Sequence, residues 1–68
     1  MENKVRKSRE DNGITQEQLA ASTRVSRQSI ISIEKGHFIP TTVLALKIAS
    51  VLNTSVEALF VLEKTDWK

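Results

Sequence analysis

The sequence contains no cysteine, one histidine, one proline and two glycines among its 68 residues. The lack of cysteine excludes disulfides and thiolate metal sites, and a single histidine argues against a metal site built from imidazoles. The longest apolar-rich stretch, Val43 to Leu52, is interrupted by Lys47 and Ser50 and falls short of the roughly 20 apolar residues of a membrane span. The first ten residues lack the apolar core of a signal peptide. We therefore expect a cytoplasmic protein with no metal, no other cofactor and no membrane association.

Groups that carry out catalysis are as scarce as metal ligands. The chain has no thiol nucleophile, one imidazole, no glycine-rich phosphate loop and no convincing pair of carboxylates. A chain of this length forms one domain, which buries only about 60% of the surface of its unfolded state and is marginally stable unless a partner helps. The sequence thus predicts a single domain over residues 1–68 that is not an enzyme and has no catalytic residues.

Basic residues are concentrated in the first half of the chain. Residues 1–37 contain seven basic and five acidic side chains, whereas residues 38–68 contain three of each. Residues 22–36 contain three basic side chains and one acidic side chain. A basic segment on a small domain favours an anionic partner such as nucleic acid. A solvated surface without a partner explains the same charges about as well.

Capping and turn residues divide the chain into five predicted helices. Thr15 and Gln18 have the spacing of a capping box, and Ser26, Thr41 and Ser55 precede further helix-compatible segments. We predict helices over residues 3–12, 16–23, 27–35, 42–52 and 56–60. The last residues, 61–68, suit either a short strand or a frayed end.

The second and third predicted helices are short and lie close together in the chain. This is the arrangement of a helix-turn-helix motif over residues 15–35, in which the second helix enters the DNA major groove. A helical wheel of the third helix turns Ser29, Ile30 and Ile33 toward the core. The opposite face suits base edges, because arginine pairs with guanine, glutamine with adenine, and an aliphatic side chain with the thymine methyl group. The predicted base-reading residues are Arg27, Gln28, Ile31 and Ser32.

These segments resemble a known family. The similarity is carried by residues 15–20, 25–30 and 33–36, then by Pro40, residues 44–49 and Leu52-Asn53. Together they resemble the Cro/repressor-type, or XRE-like, helix-turn-helix family, especially its short stand-alone bacterial regulators such as the cytolysin repressor. The resemblance spans about residues 3–60. It implies an all-α, five-helix, lambda-repressor-like bundle, to which a short terminal β-ribbon is an optional addition.

The resemblance also implies roles for residues outside the reading face. Phosphate contacts are expected from residues at the ends of the two motif helices, namely Gln16, Arg24, Ser26 and Lys35. Arg9 and Glu34 match a pair that forms an ion pair between the first and third helices. Arg24 stands where the family often has a turn glycine, and a left-handed backbone at a non-glycine residue costs roughly 1 kcal/mol.

The predicted function is a sequence-specific DNA-binding regulator, a repressor that occupies a palindromic operator as a homodimer. One recognition helix covers few base pairs, and two half-sites about 34 Å apart require two-fold symmetry. We place the dimer interface in residues 55–68. The family resemblance implies that residues 61–63 form a short strand paired with residues 3–5. The predicted interface residues are Val56, Leu59, Phe60 and Leu62.

Two alternatives remain open at this point. Leu59 and Phe60 also suit a role in closing the core of the monomer, which would leave the tail loose. The fold also suits a protein-binding module, such as an antitoxin that neutralises a partner protein.

Overall fold

A computed structural model describes residues 1–67, which form five α-helices, two short strands and one 3₁₀ helix. The elements, in chain order, are β1 (Glu2–Asn3), α1 (Val5–Asp11), α2 (Gln16–Thr23), α3 (Arg27–Glu34), α4 (Thr42–Val51), α5 (Val56–Leu59) and β2 (Phe60–Val61), followed by the 3₁₀ helix Lys64–Trp67. The predicted five-helix architecture is confirmed. Lys68, the last residue of the predicted C-terminal segment, lies outside the described residues. None of the helices within residues 1–67 is long and apolar enough to cross a bilayer.

Hydroxyl side chains begin four of the five helices in residues 1–67. The Thr15 hydroxyl accepts from the Gln18 N–H at 3.0 Å, and the Gln18 side chain accepts from the Thr15 N–H at 2.8 Å, which completes the predicted capping box. Ser26, Thr41 and Ser55 each accept from the backbone N–H three residues later. Each cap satisfies a backbone donor that the helix itself leaves unpaired. All four predicted caps are confirmed.

The core holds α3 from its inner side. Ile30 and Ile33 are fully buried, as the helical wheel predicts. They pack with buried residues of the other four helices and with Leu52, which follows α4; the helix residues are Val5, Leu19, Ala20, Ile48, Ala49 and Leu59. Ser29, which the wheel placed on the core side, is only half-buried. Its hydroxyl lies 3.0 Å from that of Ser26 at the helix start, so it faces the helix end rather than the core.

The two ends of the chain form a two-stranded antiparallel ribbon. Its register pairs Glu2 with Val61 and Asn3 with Phe60. A terminal ribbon of this kind is expected, but both strands start one residue earlier than predicted. The reason is that α5 ends at Leu59, and the backbone of Phe60 is already extended, with φ −125° and ψ 114°.

Side chains of the terminal segments tie the ribbon to its neighbours. The Asn3 amide donates to the Ile33 carbonyl at 2.6 Å, which attaches β1 to α3. At the other end, the Asp66 carboxylate accepts from the Glu63 N–H at 2.8 Å and lies 3.1 Å from the Met1 ammonium. These donors, the Glu63 N–H first, hold the pKa of Asp66 below its ordinary value.

An enclosed ion pair joins α1 to α3. Arg9 Nε donates to Glu34 Oε2 at 2.6 Å and Arg9 Nη2 donates to Oε1 at 3.3 Å, with the two side chains 11% and 4% exposed. The guanidinium also donates to the Ile14 carbonyl at 2.8 Å, and the Gln16 amide donates to Glu34 at 3.1 Å. The hydrogen bonds to Glu34 raise the pKa of Arg9 above its ordinary value. This is the pair that the family resemblance implies.

Removing one member of this pair leaves the other charge enclosed and unpaired. Arg9→Met is therefore expected to lower the free energy of unfolding by about 3–5 kcal/mol. Arg6→Ala is the control, because it breaks the exposed pair with Glu10 on α1, and exposed pairs contribute about 0–1 kcal/mol. Urea denaturation measures both changes. A coupling energy near zero in a double-mutant cycle of Arg9 and Glu34 would contradict the assignment.

Candidate nucleic-acid interface

The outward side of α3 forms a ridge between two shallow grooves. Arg27 and Gln28 are exposed in the first turn, whereas Ile31 and Ser32 are half-buried further along. Gln28 and Ser32 line one groove of about 350 Å³, together with Ser26, Ser29, His37 and Phe38. Ile31 and Lys35 line the other, of about 360 Å³, together with Arg6, Arg9, Gln16 and Glu34. The four residues predicted to read bases thus share one ridge.

The turn between α2 and α3 depends on Arg24. This residue has φ 59° and ψ 42°, the left-handed conformation that the missing turn glycine implies. The turn is closed by hydrogen bonds from the Arg24 N–H to the Ala21 carbonyl at 3.3 Å and from the Val25 N–H to the Ala20 carbonyl at 3.1 Å. The Arg24 side chain remains exposed. It therefore adds a positive charge where α2 and α3 meet.

The other three residues predicted to bind phosphate lie at helix ends. Ser26 is exposed and its hydroxyl already caps α3. Lys35 is exposed and follows the last residue of α3. Gln16 is half-buried, and its amide nitrogen donates to Glu34. A primary amide carries two N–H donors, so one remains for a phosphate oxygen.

Glu17 on α2 lies close to Arg27, the residue predicted to contact guanine. Arg27 Nη1 lies 3.7 Å from Glu17 Oε1, and both side chains are exposed. The sequence interpretation missed this pair, because the two residues are ten positions apart and lie on different helices. The capping box at Thr15, followed by a short turn, is the signal that could have placed Glu17 beside the start of α3.

The residues of the α3–α4 loop were also missed as part of this surface. Gly36 has φ 78°, which reverses the chain after α3. The His37 N–H then donates to the Ser32 carbonyl at 2.9 Å, and this contact brings His37 and Phe38 to the groove beside Gln28. A helical wheel describes one helix alone, so it gives no indication of which loop lies beside it.

Two capped helices joined by a short left-handed turn, with the second helix buried on one side and polar on the other, define a DNA-binding helix-turn-helix protein. Residues 5–59 match the model of the helix-turn-helix family. The chain belongs to this XRE-type family of transcriptional regulators, whose members bind DNA and are not enzymes. The sequence interpretation is confirmed at this level.

Similar proteins of known sequence and structure support this family assignment. The chain is 41% identical over 64 residues to YgzD, an uncharacterized HTH-type transcriptional regulator of Bacillus subtilis, across 94% of this chain and 97% of that protein. It is 44% identical over 63 residues to an uncharacterized HTH-type transcriptional regulator of Methanocaldococcus jannaschii, across 93% and 96%. Its fold matches the crystal structure of the clp gene regulator ClgR of Corynebacterium glutamicum, with a TM-score of 0.76 and 30% identity. That match covers 79% of this chain and 57% of the ClgR chain.

Arg24→Gly separates the strain of the turn from the charge it carries. We expect the free energy of unfolding to rise by roughly 1 kcal/mol, because glycine adopts the left-handed conformation without steric cost. We expect DNA affinity to fall, because a positive charge is lost. Asn53→Gly is the control: Asn53 also has a positive φ of 56°, but asparagine tolerates it better, so the gain should be smaller. Thermal unfolding and a DNA titration measure the two effects, and a less stable Arg24→Gly variant would contradict the prediction.

Proposed function

We propose that this protein is a cytoplasmic repressor that binds a palindromic operator as a homodimer, with α3 of each copy in the major groove of one half-site. The observation that carries the proposal is the two-sided character of α3. Its inner side is fixed by the buried Ile30 and Ile33, and its outer side presents Arg27 and Gln28 in the first turn. The major groove is about 12 Å wide and admits one helix, whose N-terminal residues face base edges.

Each residue on the ridge offers a group that suits a base. The Arg27 guanidinium can donate twice to guanine O6 and N7, and the Gln28 amide can pair with adenine N6 and N7. Further along the ridge, Ile31 offers carbon to a thymine methyl group and Ser32 offers a hydroxyl. Around the ridge, phosphate contacts from Gln16, Arg24, Ser26 and Lys35 would fix the register of the helix in the groove.

Base-reading and phosphate-binding residues should respond differently to mutation. Arg27→Ala and Gln28→Ala are each expected to cost about 1–3 kcal/mol at one base position of each half-site. Lys35→Ala should weaken binding to all sequences alike. The measurement is fluorescence anisotropy with a duplex selected from random DNA by this protein and with single-base variants of that duplex. If Arg27→Ala weakened selected and random duplexes equally, Arg27 would not be a base reader.

The dimer interface is proposed on the side formed by α4, α5 and the ribbon. An apolar groove of about 390 Å³ is present there, and none of its lining residues belongs to α2 or α3: they are Met1, Ile39, Pro40, Thr42, Ala45, Leu46, Val56 and Phe60. Val56 and Phe60 are half-buried and available to a second copy, and Leu62, two residues after Phe60, is exposed. Leu59 has to be removed from the predicted interface, and the alternative that it closes the core of the monomer applies to it. It is only 1% exposed because it closes the core of the monomer, so it has no surface to offer a partner.

Two large apolar side chains extend the proposed interface beyond the predicted segment. Ile39 is 70% exposed and Leu46 is 57% exposed, and both line the groove. Large exposed apolar side chains that lie together mark surfaces where a partner binds. A second copy is the occupant we propose, because two-fold symmetry is what a palindromic operator requires.

The groove can be tested with matched charge insertions on α4. Leu46→Glu should convert the dimer to a monomer, because it places a carboxylate in the groove. Val43→Glu should leave the dimer intact, because Val43 is similarly exposed but does not line the groove. Sedimentation at micromolar concentration measures the mass. A wild-type protein that sediments as a 7.6 kDa monomer and binds a palindrome without cooperativity would contradict the proposed dimer.

A further inference from the structure

The groove between α1 and the end of α3 contains more charge than the sequence interpretation assigns to it. Its lining includes Arg6 of α1 and Lys35 at the end of α3, both exposed. Arg9 and Glu34 lie between them and neutralise each other through their hydrogen bonds. The groove therefore has two exposed cations in its lining, one of them paired with Glu10 on the same helix, beside an Arg9–Glu34 pair without net charge. An anion is the ligand that matches this lining.

The position of this groove relates it to the DNA-reading ridge. Ile31, one of the ridge residues, lines the groove, and Gln16 contributes its amide. A helix that lies in the major groove has a sugar-phosphate backbone on each side of it. The surface next to Ile31 and Lys35 is therefore next to one of the two backbones. We propose that this groove binds a phosphate of that backbone and that Arg6 is its principal donor. This proposal rests on the proposed insertion of α3 into the major groove.

The chemistry of Arg6 suits this role. Its Nε lies 3.4 Å from Glu10 Oε2, one turn further along α1. That contact engages one nitrogen of the guanidinium, and the two terminal nitrogens carry further N–H donors that match a phosphate in a bidentate arrangement. Glu10 orients the Arg6 side chain. Its negative charge also weakens the attraction between Arg6 and an anion. The first helix thus becomes part of the DNA interface.

The salt dependence of DNA binding tests the assignment. For each protein, the association constant is measured over a range of salt concentrations with the duplex selected from random DNA by the wild type. Neutralising one phosphate contributes about 0.9 to the slope of log K against log salt. Arg6→Ala should therefore reduce the magnitude of the slope by about 0.9 per half-site and leave the preference for selected over random duplexes unchanged. Lys7→Ala is the matched control, because Lys7 is an exposed cation on the same helix that does not line the groove.

A second pair of variants tests the same contact from the acidic side. Glu10→Gln should raise the affinity, because it removes the charge that competes for Arg6, whereas Asp11→Asn, an exposed acid at the next position, should have a smaller effect. Equal slopes for Arg6→Ala and Lys7→Ala would overturn the assignment of Arg6. A wild-type protein that binds no duplex would instead overturn the proposed function, so the two failures are distinguishable.

Discussion

Arg9 and Glu34 bring together three parts of the chain that are distant in sequence. The guanidinium binds the carboxylate at the end of α3 and the Ile14 carbonyl before α2, and Gln16 donates to the same carboxylate. An enclosed pair stabilises a fold only when its remaining hydrogen-bonding groups are also satisfied. In this network they are, and no buried side-chain nitrogen or oxygen in residues 1–67 lacks a partner. Hydrogen bonds therefore hold the end of α3 against α1 and the start of α2, whereas the core holds its middle.

The same network matters for binding an anion. Glu34 lies at the floor of the groove next to the reading ridge, where an unpaired carboxylate would repel phosphate. Arg9 cancels that charge, so one interaction both holds α3 in place and keeps the surface beside it receptive to a polyanion. Glu17 shows the opposite arrangement: it is exposed and close to Arg27, so its charge is screened mainly by solvent.

Local signals in the sequence were sufficient for part of this structure. The caps at Thr15 and Ser26 follow from hydrogen bonds within one helix turn, and the burial of Ile30 and Ile33 follows from their spacing. The ion pair and the left-handed Arg24 were accessible only through the family resemblance. What sequence reasoning missed depends on contacts between elements. The sequence left Leu59 open between core and interface, and it is buried because the short α5 packs onto the core. The grooves beside α3 depend on where neighbouring segments pass.

The shortness of α3 limits how much sequence one copy can recognise. Its eight residues span about 12 Å at 1.5 Å per residue, which is about four base pairs at 3.4 Å each. In the proposed dimer, two copies would read about eight base pairs, a pattern that arises by chance about once in 65,000 positions, or about fifteen times among about 10⁶ competing sites of a small genome. Base contacts alone are too few to single out one operator. The shape and deformability of base pairs that the protein does not contact must supply the remaining discrimination.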